Sequence, residues 1–259
     1  MLLSRQHPLI KLARSLHASK GRREHGLFLI EGANGVAAAL ASGASAQQVL
    51  ATPEAALIWA QRAEAAGAEV HLVSPELLDY ASESSTSPSV IAVAPLLQPT
   101  PELALDGLIL ILDGIGDPGN AGTLLRAADA VGASQIAAAS GSVDLMAPKT
   151  VRASAGSLWS VPLSPLHGKT PEVMVQVLAE AGVPIVTAQA HGGQDCFSMK
   201  WPQRCALVIG HETRGVSQAF TSAALKATIP IWGRAESLNA AMAGTLLLYA
   251  WRQHLQERG

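Results

Sequence analysis

A short, continuous apolar run at residues 108–112 ends in Asp113 and Gly114 and leads through a glycine-rich turn into an amphipathic helix. An apolar run of this length without alternation is typical of a strand covered on both faces of a parallel sheet. In the helix that follows, Asn120 is a favourable N-cap and Gly132 a favourable C-terminal residue. The stretch therefore predicts a strand–turn–helix unit, the building block of an α/β fold with a parallel sheet.

Arg126 lies on the polar side of this predicted helix. At about 100° per residue, Leu124, Leu125 and Ala128 share one face, and Arg126 falls on the other. Arg126 therefore points away from the core, and this segment alone is equally compatible with a solvated arginine and a functional one.

The glycines of the same turn also spell a dinucleotide-binding pattern. Gly114, Gly116 and Gly119 form GxGxxG after a strand, but that fingerprint also requires an acidic residue about 20 positions further on. Here the next apolar run, 135–139, ends in serine and glycine, and Pro118 removes a backbone donor from the turn. A dinucleotide-dependent oxidoreductase is thus a weak alternative.

The length of the chain and a proline-rich segment near its middle predict two domains. A chain of 259 residues suggests one large or two modest domains, since domains commonly span about 100–200 residues. Apolar runs alternate with helical patterns on both sides of a segment interrupted by Pro95, Pro99 and Pro101, residues that resist helix and central strand. We predict a small α/β domain at residues 1–97, a linker at 98–106 and a second α/β domain at 107–259.

Positive charge is concentrated at the start of the chain. The formal net charge is −2, yet residues 1–25 carry six lysines and arginines against one acid. Such a basic amphipathic segment is often a solvated helix face, but its isolation favours contacts with nucleic acid phosphates. The candidate RNA-binding residues here are Arg14, Lys20, Arg22 and Arg23.

Other compositional features restrict the class of protein. The two cysteines, Cys196 and Cys205, lack metal-ligand spacing, so we expect no metal centre and a reducing compartment. No apolar run approaches the roughly 20 residues of a membrane span, and the N-terminus lacks an apolar signal core. We expect a soluble, cytoplasmic protein.

In the second half, polar residues and glycines follow each predicted strand. The runs at 183–188 and 206–209 end at Gln189 and Gly210, and the last strand, predicted at 227–231, leads into a helix opened at 237–239. Ligands of open α/β sheets bind outside the carboxyl ends of strands. We therefore expect the functional site at this edge.

Three segments together resemble the SpoU/TrmH branch of the SPOUT RNA methyltransferases. They are NxGxxxRxA, with Asn120, Gly122, Arg126 and Ala128; LVIGHETRG, with Gly210, Glu212 and Gly215; and IPIWGRAESLN, with Ile229, Pro230, Gly233, Ser237, Leu238 and Asn239. The similarity covers about residues 108–252 and includes an intervening segment with Pro148, Lys149, Arg152 and Gly156. Residues 1–95 more loosely resemble the ribosomal-protein-like substrate-binding domain of many members.

The chain departs from the family pattern at two places. Ala240 and Ala241 stand where relatives often have valine and serine, and Thr213 and Arg214 follow Glu212 where a glycine is usual. These differences concern the detail of the loops more than the class of reaction.

The resemblance implies a C-terminal domain with a parallel sheet and a deep trefoil knot, a homodimer, bound S-adenosylmethionine and methylation of a ribose 2′-hydroxyl in structured RNA, with ribosomal RNA favoured over transfer RNA. The catalytic residues implied are Asn120, Arg126, Glu212, Ser237 and Asn239. The cofactor-binding residues implied are Thr187, Ala188, Gly210, Ile229, Ile231 and Leu238. Lys149 and Arg152 join the candidate RNA-binding residues.

Individual roles remain open at this point. The family proposal makes Arg126 the base; alternatively, since a guanidinium stays charged in proteins, Arg126 stabilises the developing alkoxide and pairs with a substrate phosphate. Helix capping is the alternative role of Asn120 and Ser237, and capping does not exclude catalysis; His211 is a lone histidine without an evident role. A noncatalytic RNA-binding protein with the same fold is a further alternative.

Overall fold

The structure, a computed structural model, describes residues 4–43, 46–84 and 87–256. The helices are α1 (Pro8–Ser15), α2 (Ser19–His25), α3 (Ala33–Ala41), α4 (Pro53–Ala65), α5 (Pro75–Ala81), α6 (Pro118–Val131), α7 (Pro148–Ala153), α8 (Pro171–Glu180), α9 (Gln218–Thr221) and α10 (Ala240–Gln256). The strands are β1 (Leu27–Glu31), β2 (Gln48–Ala51), β3 (Glu69–Leu72), β4 (Val90–Pro95), β5 (Leu108–Asp113), β6 (Gln135–Ala138), β7 (Ile185–Gln189), β8 (Gln194–Asp195), β9 (Cys205–Gly210) and β10 (Leu225–Thr228). Within the described ranges, no helix is both long and apolar enough to cross a bilayer.

The chain divides into two compact units. The first contains the described residues up to Leu97 together with Asp144–Ser160; the second contains Gln98–Val143 and the described residues from Val161 onward. The sequence analysis assigned residues 144–160 to the second domain, whereas here they pack with the first unit. The chain therefore passes between the units three times instead of once.

The first unit is built on a mixed sheet with the strand order β1-β4-β2-β3. β4 pairs antiparallel with β1 and with β2, while β2 and β3 are parallel. One core contains Ile10 of α1, Leu16 immediately after α1, Leu29 of β1 and Ile91 of β4, all of them fully buried. The predicted small α/β domain at the front of the chain is confirmed.

Two ion pairs attach residues 144–160 to the rest of the first unit. Arg22, which is 3% exposed, donates from Nε and Nη2 to Asp144 Oδ2 at 3.0 and 2.7 Å. Arg152 Nη1 contacts the carboxylate of Glu31 at the end of β1, whose side chain is fully buried. The partners are 122 and 121 positions apart in sequence, so no local pattern could have revealed this packing.

The second unit contains a parallel sheet with the strand order β6-β5-β9-β7-β10-β8. Every residue of β5 and of β9 is buried, as expected for strands that are covered on both faces. These two strands pair in register, with Asp113 opposite Gly210 at their carboxyl ends. The predicted parallel sheet is confirmed, and its central strands end together at the edge expected to hold the site.

The last strand of this sheet is shorter than the sequence analysis predicted. β10 ends at Thr228, and Ile229 and Ile231 lie beyond it. Pro230 explains the difference, because its nitrogen carries no hydrogen for a sheet ladder. The predicted strand is confirmed at residues 227 and 228, but it begins two residues earlier, at Leu225, and residues 229–231 belong to the loop at the carboxyl edge.

α6 begins earlier than predicted, with a different cap. Asp117 Oδ1 accepts a hydrogen bond from the Asn120 backbone nitrogen at 2.9 Å, and Pro118 occupies the first turn. Asn120 is therefore inside the helix, and its side chain is available for other contacts. The predicted C-terminal glycine is confirmed, since Gly132 has a left-handed conformation with φ of 70°.

Candidate functional site

A cavity lies at the carboxyl ends of β7 and β9, in the second unit. The predicted cofactor-binding residues that line it are Ala188, Gly210, Ile229, Ile231 and Leu238. Most of the lining is aliphatic, with Glu212 and Ser237 among its polar members. An apolar pocket with a few placed polar groups is the usual character of a cofactor site.

Thr187 does not line this cavity, although the sequence analysis grouped it with the cofactor-binding residues. Its side chain is fully buried, and its hydroxyl lies 3.4 Å from the backbone oxygen of Leu225 in the neighbouring strand. Conversely, Ala240, Ala243 and Leu247 of α10 line the cavity and were not predicted. Their spacing of three and four residues, which puts them on one helix face, was the available signal.

The loop after β9 folds back onto the end of its own strand. The His211 backbone nitrogen donates to the Gly215 oxygen at 3.1 Å, and the Gly215 nitrogen donates to the His211 oxygen at 2.8 Å. This close approach requires glycine at position 210, because a Cβ there would lie 2.3 Å from Gly215 C and from Val216 N. The buried carboxylate of Asp113 accepts from the Ser217 nitrogen at 2.6 Å, so the loop is held at both ends.

Three predicted catalytic residues from distant segments meet beside this loop. Asn120 Nδ2 donates to Glu212 Oε1 at 2.7 Å, and Asn239 Nδ2 donates to Asn120 Oδ1 at 3.1 Å. Asn239 Oδ1 in turn accepts from the backbone nitrogen of Ala241 at 2.9 Å. Asn239, and not Ser237, therefore caps the start of α10. We name Asn120, Glu212 and Asn239 the amide–carboxylate chain; such a chain offers both donors and acceptors to a hydroxyl group.

The other two predicted catalytic residues do not join this chain. Arg126 is exposed on α6, six positions after Asn120 and thus roughly 9 Å along the helix axis. Among the residues described, it has no hydrogen-bonding or ion-pair partner. Ser237 is exposed and lines the cavity. Arg126 thus supplies a cation on the surface of α6, and Ser237 supplies a hydroxyl at the cavity, in addition to the amide–carboxylate chain.

The candidate RNA-binding residues all belong to the first unit, and one of them was predicted wrongly. Arg22 is buried, and its remaining Nη1 donates to the backbone oxygens of Leu16 and His17 at 2.8 and 2.7 Å. All three nitrogens of its guanidinium donate to partners within the first unit, so Arg22 cannot bind a phosphate at the surface.

The other candidate RNA-binding residues reach the surface to different degrees. The exposed ones are Arg14, Lys20, Arg23 and Lys149. Arg14 stacks over the Tyr80 ring, 5.0 Å from its centroid, and Lys20 lies 3.6 Å from Glu24. Arg152 is partly exposed but already pairs with Glu31, which gives it a structural role whether or not it also meets RNA.

The two cysteines take no part in the site. Burial raises the pKa of the Cys205 thiol to about 12, and burial together with the neighbouring Asp195 charge raises the pKa of Cys196 to about 11. Both therefore remain protonated at neutral pH and are poor nucleophiles. In the part of the chain that the structure describes, no group of three or more His, Cys, Asp or Glu side chains could hold a metal ion.

Comparison with known protein families gives two matches along the chain. The model of the SpoU rRNA Methylase family matches residues 107–249. The model of the MRM3-like substrate binding domain matches residues 7–92.

Curated relatives and solved structures cover nearly the whole chain. The "23S rRNA (uridine(2479)-2′-O)-methyltransferase" of Streptomyces viridochromogenes is 34% identical over 92% of this chain and 86% of its own length. The "23S rRNA (guanosine(2553)-2′-O)-methyltransferase RlmP" of Bacillus subtilis (strain 168) is 29% identical over 96% of this chain and 98% of its own. The crystal structure of the SpoU methyltransferase AviRb from Streptomyces viridochromogenes, in complex with the cofactor AdoMet, superimposes with a TM-score of 0.85 at 31% identity, covering 97% of this chain and 99% of that one.

Proposed function

Because the chain belongs to the SpoU rRNA methylase family, we propose that it transfers a methyl group from S-adenosylmethionine to a ribose 2′-hydroxyl of ribosomal RNA. The observation that carries this proposal is the amide–carboxylate chain at an apolar cavity, which joins three segments of the family pattern. Ribosomal RNA is favoured over transfer RNA because the two curated relatives named above act on 23S rRNA.

The cavity fits S-adenosylmethionine in two respects. Its aliphatic walls suit the adenine ring and the ribose carbons, and glycine at position 210 allows the loop after β9, which contributes Glu212 and Gly215 to the lining, to pack closely against the strand end. Backbone groups at Gly210, Ile229 and Leu238 would hold the adenosine part. A dinucleotide has less support, because no residue of the Gly114–Gly119 turn, which carries the GxGxxG pattern, is among those that line the cavity.

We expect Gly210→Ala to weaken the binding of S-adenosylmethionine by at least about tenfold, since the added methyl group would displace the loop that follows β9. Gly233→Ala is the matched control, because no atom lies within 4 Å of a Cβ at that position. Titration calorimetry of both variants is the measurement. Equal affinities would show that the close approach at position 210 has no bearing on the cofactor.

The protein's residues have separate tasks in this reaction. When bound, S-adenosylmethionine would supply an electrophilic methyl group: the ribose oxygen would bond to the methyl carbon as the carbon–sulfur bond breaks with its electron pair left on sulfur, and the hydroxyl proton would pass to solvent water. Asn120, Asn239 and Ser237 would orient the hydroxyl for in-line displacement, and Glu212 would hold Asn120 in position. Arg126 would stabilise the negative charge that develops on the oxygen.

A labelling experiment tests the reaction. The purified protein is incubated with S-adenosylmethionine carrying a labelled methyl group and with ribosomal or transfer RNA from cells that lack the gene. We expect the label in 2′-O-methylated nucleosides of ribosomal RNA after nuclease digestion. Label on a base, or RNA binding without label, would refute the proposal and leave a base methyltransferase or a noncatalytic binding protein.

We further propose that the first unit binds the RNA substrate through its exposed basic residues. The match to a substrate binding domain over residues 7–92 supports this assignment. We expect the double variant Lys20→Gln/Arg23→Gln to lower the slope of log affinity against log salt by about one to two, since each lost phosphate contact removes about 0.7–0.9. The control is Arg62→Gln, which removes an exposed arginine of α4; an equal effect in the control would exclude a specific role for the two residues.

A homodimer belongs to the same proposal. α10 exposes an apolar stripe of Met242, Leu246 and Tyr249, at 61%, 40% and 53% exposure, and the preceding loop exposes Trp232 at 87%. Contiguous apolar surface of this kind marks protein contacts. We expect sedimentation to give twice the mass of one chain, and Leu246→Glu to give a monomer, while the control Leu57→Glu in the first unit stays dimeric. A wild-type monomer would exclude the dimer.

Two finer parts of the assignment rest on the family resemblance. One is the trefoil knot of the second unit. An experimental structure in which residues 205–256 do not thread through a loop would exclude the knot. The other is a cytoplasmic location, which would be contradicted by recovery of the protein in a membrane fraction.

A further inference from the structure

Arg214 is a cation of the second unit. The proposed reaction assigns it no role. It lies in the loop after β9, two residues beyond Glu212 of the amide–carboxylate chain and one before Gly215. The side chain is exposed, and in the described parts of the structure no carboxylate or carbonyl oxygen pairs with it.

The loop presents this guanidinium in a restricted position. Its backbone is closed by the paired hydrogen bonds between His211 and Gly215 and is anchored by Asp113. Arg214 Nη2 lies 3.9 Å from the point that a Cβ of Gly114 would occupy, so the guanidinium rests beside the glycine that follows β5. From that position the chain leads through Asp117 into α6 and Asn120.

The charge of Arg214 is not directed at the cofactor cavity. Its neighbours Glu212 and Gly215 line the cavity, and Arg214 does not. A partner for Arg214 must therefore come from outside the cavity, and a bound RNA substrate would be such a partner. Every ribose within an RNA chain carries a phosphodiester on each side, and arginine pairs with phosphate through two parallel hydrogen bonds.

Two arginines from different elements thus accompany the amide–carboxylate chain: Arg126 on α6 and Arg214 on the loop after β9. The amides can orient a hydroxyl, but they carry no charge with which to hold an anionic backbone. We propose that Arg214 binds a phosphate next to the target ribose and so positions the RNA at the second unit. This inference rests on the proposed function.

The test compares Arg214→Ala and Arg214→Lys with Arg204→Ala. Arg204 is a matched control, since it is an exposed arginine immediately before the same strand, β9, and its guanidinium donates to the backbone oxygens of Leu105 and Gly182. The measurements are RNA affinity at several salt concentrations, KM and kcat for the RNA that the wild type labels, and affinity for S-adenosylmethionine. Melting temperatures show whether each variant is folded.

We expect Arg214→Ala to raise KM for RNA about tenfold and to lower the salt slope by about 0.7–0.9, as the loss of one phosphate contact does. Affinity for S-adenosylmethionine should not change. Arg214→Lys should restore the salt slope but not the full affinity, because lysine keeps the charge without the planar fork. Arg204→Ala should behave like the wild type.

The outcomes also separate this inference from the proposed function. If the wild type labels RNA but Arg214→Ala has the KM and salt slope of the control, the role of Arg214 alone is refuted. If Arg214→Ala loses affinity for S-adenosylmethionine in proportion to its loss of activity, Arg214 supports the cofactor site and the phosphate contact is refuted. If the wild type labels no RNA, the proposed function fails and this inference fails with it.

Discussion

Arg126→Ala should lower the rate of methyl transfer by about 10²–10³-fold, while affinity for S-adenosylmethionine stays nearly unchanged. Removal of one group that stabilises developing oxyanion charge typically has an effect of this size. Arg126 is exposed on α6 and does not line the cavity, so its loss should not disturb the cofactor. Single-turnover methyl transfer to ribosomal RNA gives the rate, and titration calorimetry gives the affinity.

The conservative variant distinguishes the two roles considered for Arg126. If the guanidinium acts as a fixed cation, Arg126→Lys should recover part of the rate, because lysine keeps the charge but loses bidentate pairing. Arg62→Ala, in α4 of the first unit, is the control for removal of an exposed arginine and should keep the full rate. Loss of cofactor affinity in Arg126→Ala would move this residue out of the reaction centre.

Arg152→Ala should destabilise the first unit by about 2–3 kcal/mol, since removing the partly exposed cation leaves its buried carboxylate partner uncompensated. The charge left behind is the carboxylate of Glu31, whose side chain is fully buried. Its other partners are the Ser82 hydroxyl at 2.7 Å and the Glu83 backbone nitrogen at 3.2 Å, neither of which carries a charge. Amide hydrogen exchange in β1 and β4 reports the stability of this sheet directly.

Two further variants identify the cause of this destabilisation. Lys149→Ala removes an exposed cation from the same helix, α7, and should change stability by less than about 0.5 kcal/mol. Glu31→Gln combined with Arg152→Ala should recover part of the loss, because the buried charge is then removed together with its partner. If Arg152→Ala is as stable as Lys149→Ala, the pair with Glu31 is not structural, and Arg152 returns to the candidate RNA-binding surface.

Local sequence patterns were sufficient for the architecture of the second unit and for part of its site. Strands β5 and β9 were recognisable because strands covered on both faces are continuously apolar. Residues that end such strands share one edge of a parallel sheet, so the positions of Gly210 and Glu212 at the cavity followed from the order of the elements. The family resemblance, and not periodicity, singled out Asn120 and Asn239.

Competition between neighbouring residues changed several local predictions. Asp117 and Asn120 can both cap a helix. Pro118 favours Asp117 as the N-cap of α6, because proline is preferred at the first helical position, immediately after the cap. In the same way, Asn239 displaced Ser237 as the residue that caps α10. As a result, the Asn120 side chain is free of the cap and bonds to Glu212 and Asn239, and the Asn239 side chain caps α10. The sequence analysis predicted neither contact.

The sequence by itself determined which segments form strands and helices and which strand ends carry the polar residues, since these properties depend on periodicity and on neighbours within one or two turns. Only the tertiary structure decided that Arg22 is an interior partner of Asp144, that residues 144–160 pack with the first unit, and that Asn120 bonds to both Glu212 and Asn239. The physical reason is that these contacts join residues roughly 90 to 120 positions apart. A charged or amide side chain looks the same in sequence whether its partner is water or a residue brought to it by the fold.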